Sequence, residues 1–137
     1  MRAVLDPNVL ISGLLAPAGS PAKVLKAWLD GAFELVVSPL LLTELERALR
    51  HPKISERIEP AEAEELMALL RRQANVIDDP STAPPVRSPD PGDDYLIALA
   101  ASARAVIVSG DGHLLGLAED LPVYSPAEFL SRLEPPA

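Results

Sequence analysis

The chain has 137 residues, nearly half of them apolar, enough to bury one sizeable core in a single domain spanning residues 1–137. It has no cysteine, which excludes disulfides and thiolate metal sites. A formal net charge of −8 excludes a general nucleic-acid coat protein, but not a nucleic-acid enzyme whose acids hold divalent cations and so change the local sign of the field.

The first stretch, Arg2 to Leu5, is a short apolar run that stops at Asp6, and a run without polar alternation suits a strand covered on both faces. Pro7 cannot continue a ladder, so the strand should end at Asp6. Asn8 can cap a short buried helix carrying Val9, Leu10, Ile11 and Leu14. Asp6 and Asn8 interrupt the apolar start in a way no signal peptide shows, and no apolar run approaches the roughly 20 residues of a membrane span. A soluble cytoplasmic protein without membrane contact is therefore expected.

Ser20–Pro21 reads as a cap and first helical position, with Val24, Leu25, Trp28 and Leu29 on one face and Gly31 as the stop. Residues 33–37 form a second buried strand. Ser38–Pro39 repeats the cap-plus-proline device and opens a helix lined by Leu40, Leu41, Leu45, Ala48 and Leu49, which ends before His51–Pro52. A fourth helix starts at Pro60, and residues 75–78 read as a third short strand. The proline-dense loop 79–91 shows no sign of a domain boundary. A helix over 92–104, a strand over 105–108, a short helix from about 112 to 118, an edge strand at 122–124 and a helix capped by Ser125 and Glu128 complete the chain. Strands alternating with helices imply an α/β fold, a three-layer α/β/α sandwich around a mainly parallel sheet of four to five strands.

Four acids stand out on this layout. Asp6 closes the first strand, Glu44 lies in the first turns of the helix after the second, Asp93 opens the helix before the fourth, and Asp111 follows that strand. Open α/β sheets place their chemistry at the carboxyl ends of the strands. That rim should hold Asp6, Glu44 and Asp111, whereas the same reasoning sends Asp93 to the opposite rim unless the proline loop carries it back. Each acid has a plainer reading. Asp93 and Asp111 can serve the helix dipole alone, Glu44 can be a solvated helix residue and Asn8 a plain cap. An acid closing a strand between apolar neighbours, as Asp6 does, is seldom decoration. His51 and His113 are isolated in sequence and read as surface or capping residues. Carboxylates that converge need a counter-charge, and hard oxygen ligands without His or Cys point to Mg²⁺ or Mn²⁺ and to phosphodiester hydrolysis.

Four stretches in order, Val4–Gly13, Ser38–Leu45, Asp90–Ala100 and Val106–Asp111, resemble the PIN domain, the fold of VapC-like toxins and related ribonucleases. The resemblance covers nearly the whole chain. It implies that Asp6, Glu44, Asp93 and Asp111 match the acidic quartet that binds Mg²⁺ or Mn²⁺, with Asn8 and Ser109 as supporting polar residues. It also implies that Asp93 joins the rim of the others. It further implies cleavage of RNA and the role of toxin held by a cognate antitoxin. Asp94, next to Asp93, leaves the register of the third acid open, and would be an outer neighbour if Asp93 is the ligand. Pro7 departs from the usual Thr or Ser and removes a hydroxyl beside the first acid.

Two other readings follow from the same residues. A catalytically weakened binding module with this fold, acting through a protein partner, is favoured by Pro7 and the acidic surface. A phosphohydrolase with Asp6 as nucleophile is disfavoured because Asn8 stands where a second Asp is required. The apolar helices over 21–29 and 39–49 are candidate surfaces for a homodimer or higher homo-oligomer.

Overall fold

The computed structural model describes residues 1–133; residues 134–137, the end of the expected single domain, lie outside the described residues. Five strands, β1 (Arg2–Leu5), β2 (Glu34–Val37), β3 (Asn75–Val76), β4 (Val106–Val108) and β5 (Val123–Tyr124), form one sheet in the order β3-β2-β1-β4-β5. Every pairing is parallel. The helices are α1 (Pro7–Leu15), α2 (Ser20–Leu29), α3 (Pro39–Arg50), α4 (Pro52–Ser55), α5 (Pro60–Gln73), α6 (Asp94–Ala103), α7 (Gly112–Leu115) and α8 (Pro126–Leu133). They surround the sheet and make the expected α/β/α sandwich.

The central strand is β1, flanked by β2 and β4. Its residues Ala3, Val4 and Leu5 are fully buried, which is what a parallel strand covered on both faces requires. Leu10, Leu35, Leu45, Leu99 and Ile107 join them in the core, and Phe129 of α8 meets Phe33 edge to face with ring centroids 4.9 Å apart.

Several helix starts are proline-led, because a first-turn N–H has no intrahelical acceptor and its loss costs little. Ser38 Oγ accepts the Leu41 N–H at 3.2 Å and caps α3. Ser125 and Glu128 exchange reciprocal bonds at the start of α8, the arrangement their spacing implies.

Three local expectations need correction. The cap of α1 is Asp6, whose carboxylate accepts the Asn8 N–H at 3.0 Å, so Asn8 contributes its backbone and not its side chain. The cap of α2 is Gly19, and Ser20 is already helical. His51–Pro52 ends α3 but also starts the short α4, with the His51 ring accepting the Lys53 N–H.

Candidate active site at the carboxyl rim

The strand order reverses direction around β1: the chain first builds toward β2 and β3, then crosses to β4 and β5. In open α/β sheets such a switch point leaves a crevice outside the carboxyl ends of the two central strands. Here those ends are Leu5 and Val108, register partners in the sheet. Asp6 follows the first and Ser109 the second.

Asp6 is buried, only 4 % exposed. Three bonds fix it. Its N–H donates to Val108 O at 3.0 Å, its Oδ1 accepts from Asn8 N at 3.0 Å and its Oδ2 accepts from Ser109 Oγ at 2.8 Å. Ser109 Oγ in turn accepts the Asp111 N–H at 2.9 Å. One buried hydroxyl thus ties the acid after β1 to the acid after β4. Burial raises the Asp6 pKa above the ordinary carboxylate value, the bonds from Asn8 and Ser109 oppose that rise, and the charge of Asp111 adds to it.

Asp93 closes a 3-10 turn at Pro91–Asp93 and stands at the N-cap position of α6. Burial pushes its pKa up to about 7, helped by a proton shared with Asp111 and by the charges of Asp6, Asp111 and Asp90. Asp111 caps α7 and moves the other way: its bond from the His113 N–H and the proton shared with Asp93 hold it below the ordinary value. Asp6, Asp93 and Asp111 therefore sense one another across the crevice.

Asp93 reaches this rim without help from the proline loop. A crossover helix runs antiparallel to its strands, so it begins at the carboxyl rim whether the strand in question precedes or follows it. The Arg2 guanidinium, at the amino end of β1, donates to Ala103 O at the C-terminus of α6 at 3.2 Å, which puts that end of the helix at the opposite rim. The neighbouring Asp94 turns away and accepts from Ser88 N at 2.8 Å and from the Arg87 guanidinium at 3.4 Å. In this geometry Asp93 faces the other acids and Asp94 anchors the loop.

Glu44 lies farther out. On α3 it forms a half-exposed ion pair with Arg47 at 3.1 Å. What links it to the rest is Tyr95, one residue beyond Asp94 on α6. Burial, then the charges of Asp6, Glu44, Asp93 and Asp79, raise the Tyr95 pKa, so the ring remains a neutral phenol among four carboxylates. Asn8 and Asp111 also line a cleft of about 350 Å³ that borders the acids.

Besides Tyr95, three residues outside the expected set, Asp79, Asp90 and His113, belong to this neighbourhood. Asp79 Oδ2 accepts from Leu40 N at 2.9 Å, docking the 79–91 loop on the first turn of α3. His113 Nδ1 lies 3.5 Å from Asp111 Oδ1. Asp90, Asp93 and His113 each offer a ligand atom, all within 4.8 Å of one another. The sequence carried one signal for His113: it sits in the first turn of the helix that Asp111 opens.

The donor set suits a hard divalent cation. Asp93 Oδ2 is buried and has no hydrogen-bond donor, so an acceptor stands desolvated where only a proton or a cation would complete it. Mutually repelling acids beside it add negative potential.

Comparison with known proteins agrees with this architecture. The PIN domain family model matches residues 2–113. The uncharacterized protein MJ1680 of Methanocaldococcus jannaschii is 27% identical over 146 residues, covering 98% of this chain and 92% of the relative. Among solved structures, a chain of the crystal structure of VapBC2 from Rickettsia felis bound to a DNA fragment from their promoter superposes with a TM-score of 0.60 at 14% identity, covering 91% of this chain and 98% of that one.

Proposed function

The chain belongs to the PIN-domain family, and from that premise we propose that it is a metal-dependent endoribonuclease, the toxin of a toxin–antitoxin pair, with Asp6, Glu44, Asp93 and Asp111 as its catalytic and metal-holding acids. The observation that carries this reading is the meeting of Asp6, Asp93 and Asp111 at the switch point, with a buried carboxylate oxygen of Asp93 left without a donor. A bound Mg²⁺ or Mn²⁺ supplies positive charge against the scissile phosphate and lowers the pKa of a water beside it.

The chain's own residues do the rest. Asn8 N and Ser109 Oγ each hold one oxygen of Asp6, which fixes the carboxylate plane before any ligand arrives. Asp93, with its pKa near 7, gives up a proton when a cation replaces it. Tyr95 stays protonated under the influence of these acids, a neutral phenol whose hydroxyl can donate. The Arg47 and Arg87 guanidiniums, each tethered to an acid and otherwise exposed, are among the cationic groups that would meet an RNA backbone in this reading.

Pro7 favoured a weakened binding module. At the first position of α1, however, its missing N–H would have had no acceptor, and the buried ring leaves Asp6 held by its three bonds. The likeness to a VapBC2 chain supports an antitoxin partner for this protein. A homodimer through α2 and α3 would cover Leu29 and Leu40, which are exposed in the single chain. No helix among the described residues is long and apolar enough to cross a membrane.

The test is incubation with labelled RNAs with and without Mn²⁺ or Mg²⁺, beside Asp6→Asn. Metal-dependent cleavage that disappears in the variant supports the proposal. Equal cleavage by the variant, or none under any ion, overturns it.

A further inference from the structure

We propose that His113, with Asp90 and Asp93, gives the acidic site a nitrogen-bearing corner that makes the protein select Mn²⁺ over Mg²⁺. This inference rests on the metal site of the preceding reading and names its ion.

Four observations bear on the corner. Asp90, Asp93 and His113 bring one ligand atom each to within 4.8 Å of one another, close enough to share an ion. Asp90 commits its Oδ1 to the Gly92 N–H at 3.0 Å, which holds the carboxylate in place and leaves its second oxygen free. Asp93 also carries a buried oxygen, Oδ2, that has no hydrogen-bond donor. His113 sits on the first turn of α7 with its side chain 59% exposed, and its nearest acid, Asp111, lies at 3.5 Å, so only a loose contact restrains the ring.

The ligand chemistry sets the preference. Mg²⁺ demands near-octahedral oxygen coordination and gives up water reluctantly. An imidazole nitrogen is a poor ligand for it and a better one for first-row transition ions, among which Mn²⁺ also accepts carboxylates. Four acids alone would serve either ion. The imidazole is the one group that separates them.

The test measures Mn²⁺ and Mg²⁺ binding by calorimetry for the native chain, His113→Ala and Asp6→Asn, with pulsed electron paramagnetic resonance of bound Mn²⁺ as a second readout. The native chain should bind Mn²⁺ more tightly than Mg²⁺ and show nitrogen coupling to the Mn²⁺. His113→Ala should lose at least about tenfold in Mn²⁺ affinity, the lower end of what losing even an outer partner of a metal site costs. It should also lose the nitrogen coupling and keep its Mg²⁺ affinity. Unchanged Mn²⁺ affinity with no nitrogen signal in the native protein overturns the proposal, while Asp6→Asn still losing both ions would leave the metal-dependent reading intact. Ion binding that neither variant alters overturns both.

Discussion

At the scale of single residues, the site depends on one buried hydroxyl. Ser109 Oγ donates to Asp6 and accepts from the Asp111 backbone, and it is fully buried. Ser109→Ala leaves a carboxylate oxygen and an N–H unpaired, at about 1–3 kcal/mol for an unsatisfied buried group. Chemical denaturation should report a loss in that range, and metal affinity should fall with it because Asp6 is no longer fixed. Asp6→Asn should behave oppositely toward stability. The amide can still accept from Asn8 N and can donate to the second lone pair of Ser109 Oγ, in exchange for the bond that the Ser109 hydroxyl gave the carboxylate. It also removes a carboxylate whose ionised form burial disfavours. The metal-free variant should therefore melt at or above the native temperature. It should lose the stabilisation of about 2.7 kcal/mol that an ion at 100 times its Kd gives the native chain. A variant that melts lower and still gains stability from Mn²⁺ would show that Asp6 is a structural acid only.

At the scale of elements, the sequence revealed what local chemistry encodes and hid what depends on direction or distance. The strand ending at Asp6 was legible because Pro7 must stop a ladder, and the caps at Ser38 and Ser125 because their side chains reach the next turn. The strand at 75–78 is shorter than expected: its register pairs are Asn75 and Val76, and its last bond to β2 runs from Ile77 N to Val37 O, where β2 ends. The short α4 was missed because Pro52 was read as a terminator, although proline starts helices as readily as it ends them. The sequence showed His113 only beside Asp111; its closeness to Asp90 and Asp93 was hidden because those two arrive from a different element. Pro7 itself gives a prediction at this scale. Pro7→Thr restores the hydroxyl usual at this place but removes a residue preset for the first turn of α1. Stability should fall by about 0.4–1 kcal/mol through the freer unfolded chain, with metal affinity unchanged. A marked rise in affinity would mean that Pro7 does weaken the site, and would return weight to the binding-module reading.

At the scale of the whole molecule, a chain with net charge −8 gathers several of its acids at one rim, so folding without a cation works against electrostatics. The pKa shifts give this a direction. Asp93, raised to about 7, and Asp6, raised by burial, bind protons more tightly folded than unfolded. Their stabilising contribution is complete below the unfolded carboxylate value near 4 and is lost as pH rises through their folded values. Asp111 is lowered, so its contribution is lost only on acidification below about 4. Between about pH 4 and 7 the raised groups therefore dominate, and in EDTA the melting temperature should fall as pH rises across that window. A divalent ion binds the deprotonated acids, so saturating Mn²⁺ should flatten or reverse the slope. General self-repulsion of a −8 chain also falls at lower pH, and Asp93→Asn separates the two effects. If the rim acids carry the dependence, that variant should lose most of the slope while its net charge changes by one unit. A slope of native steepness in Asp93→Asn, or one that Mn²⁺ leaves untouched, would assign the pH dependence to the overall charge and leave the rim acids without a common ion.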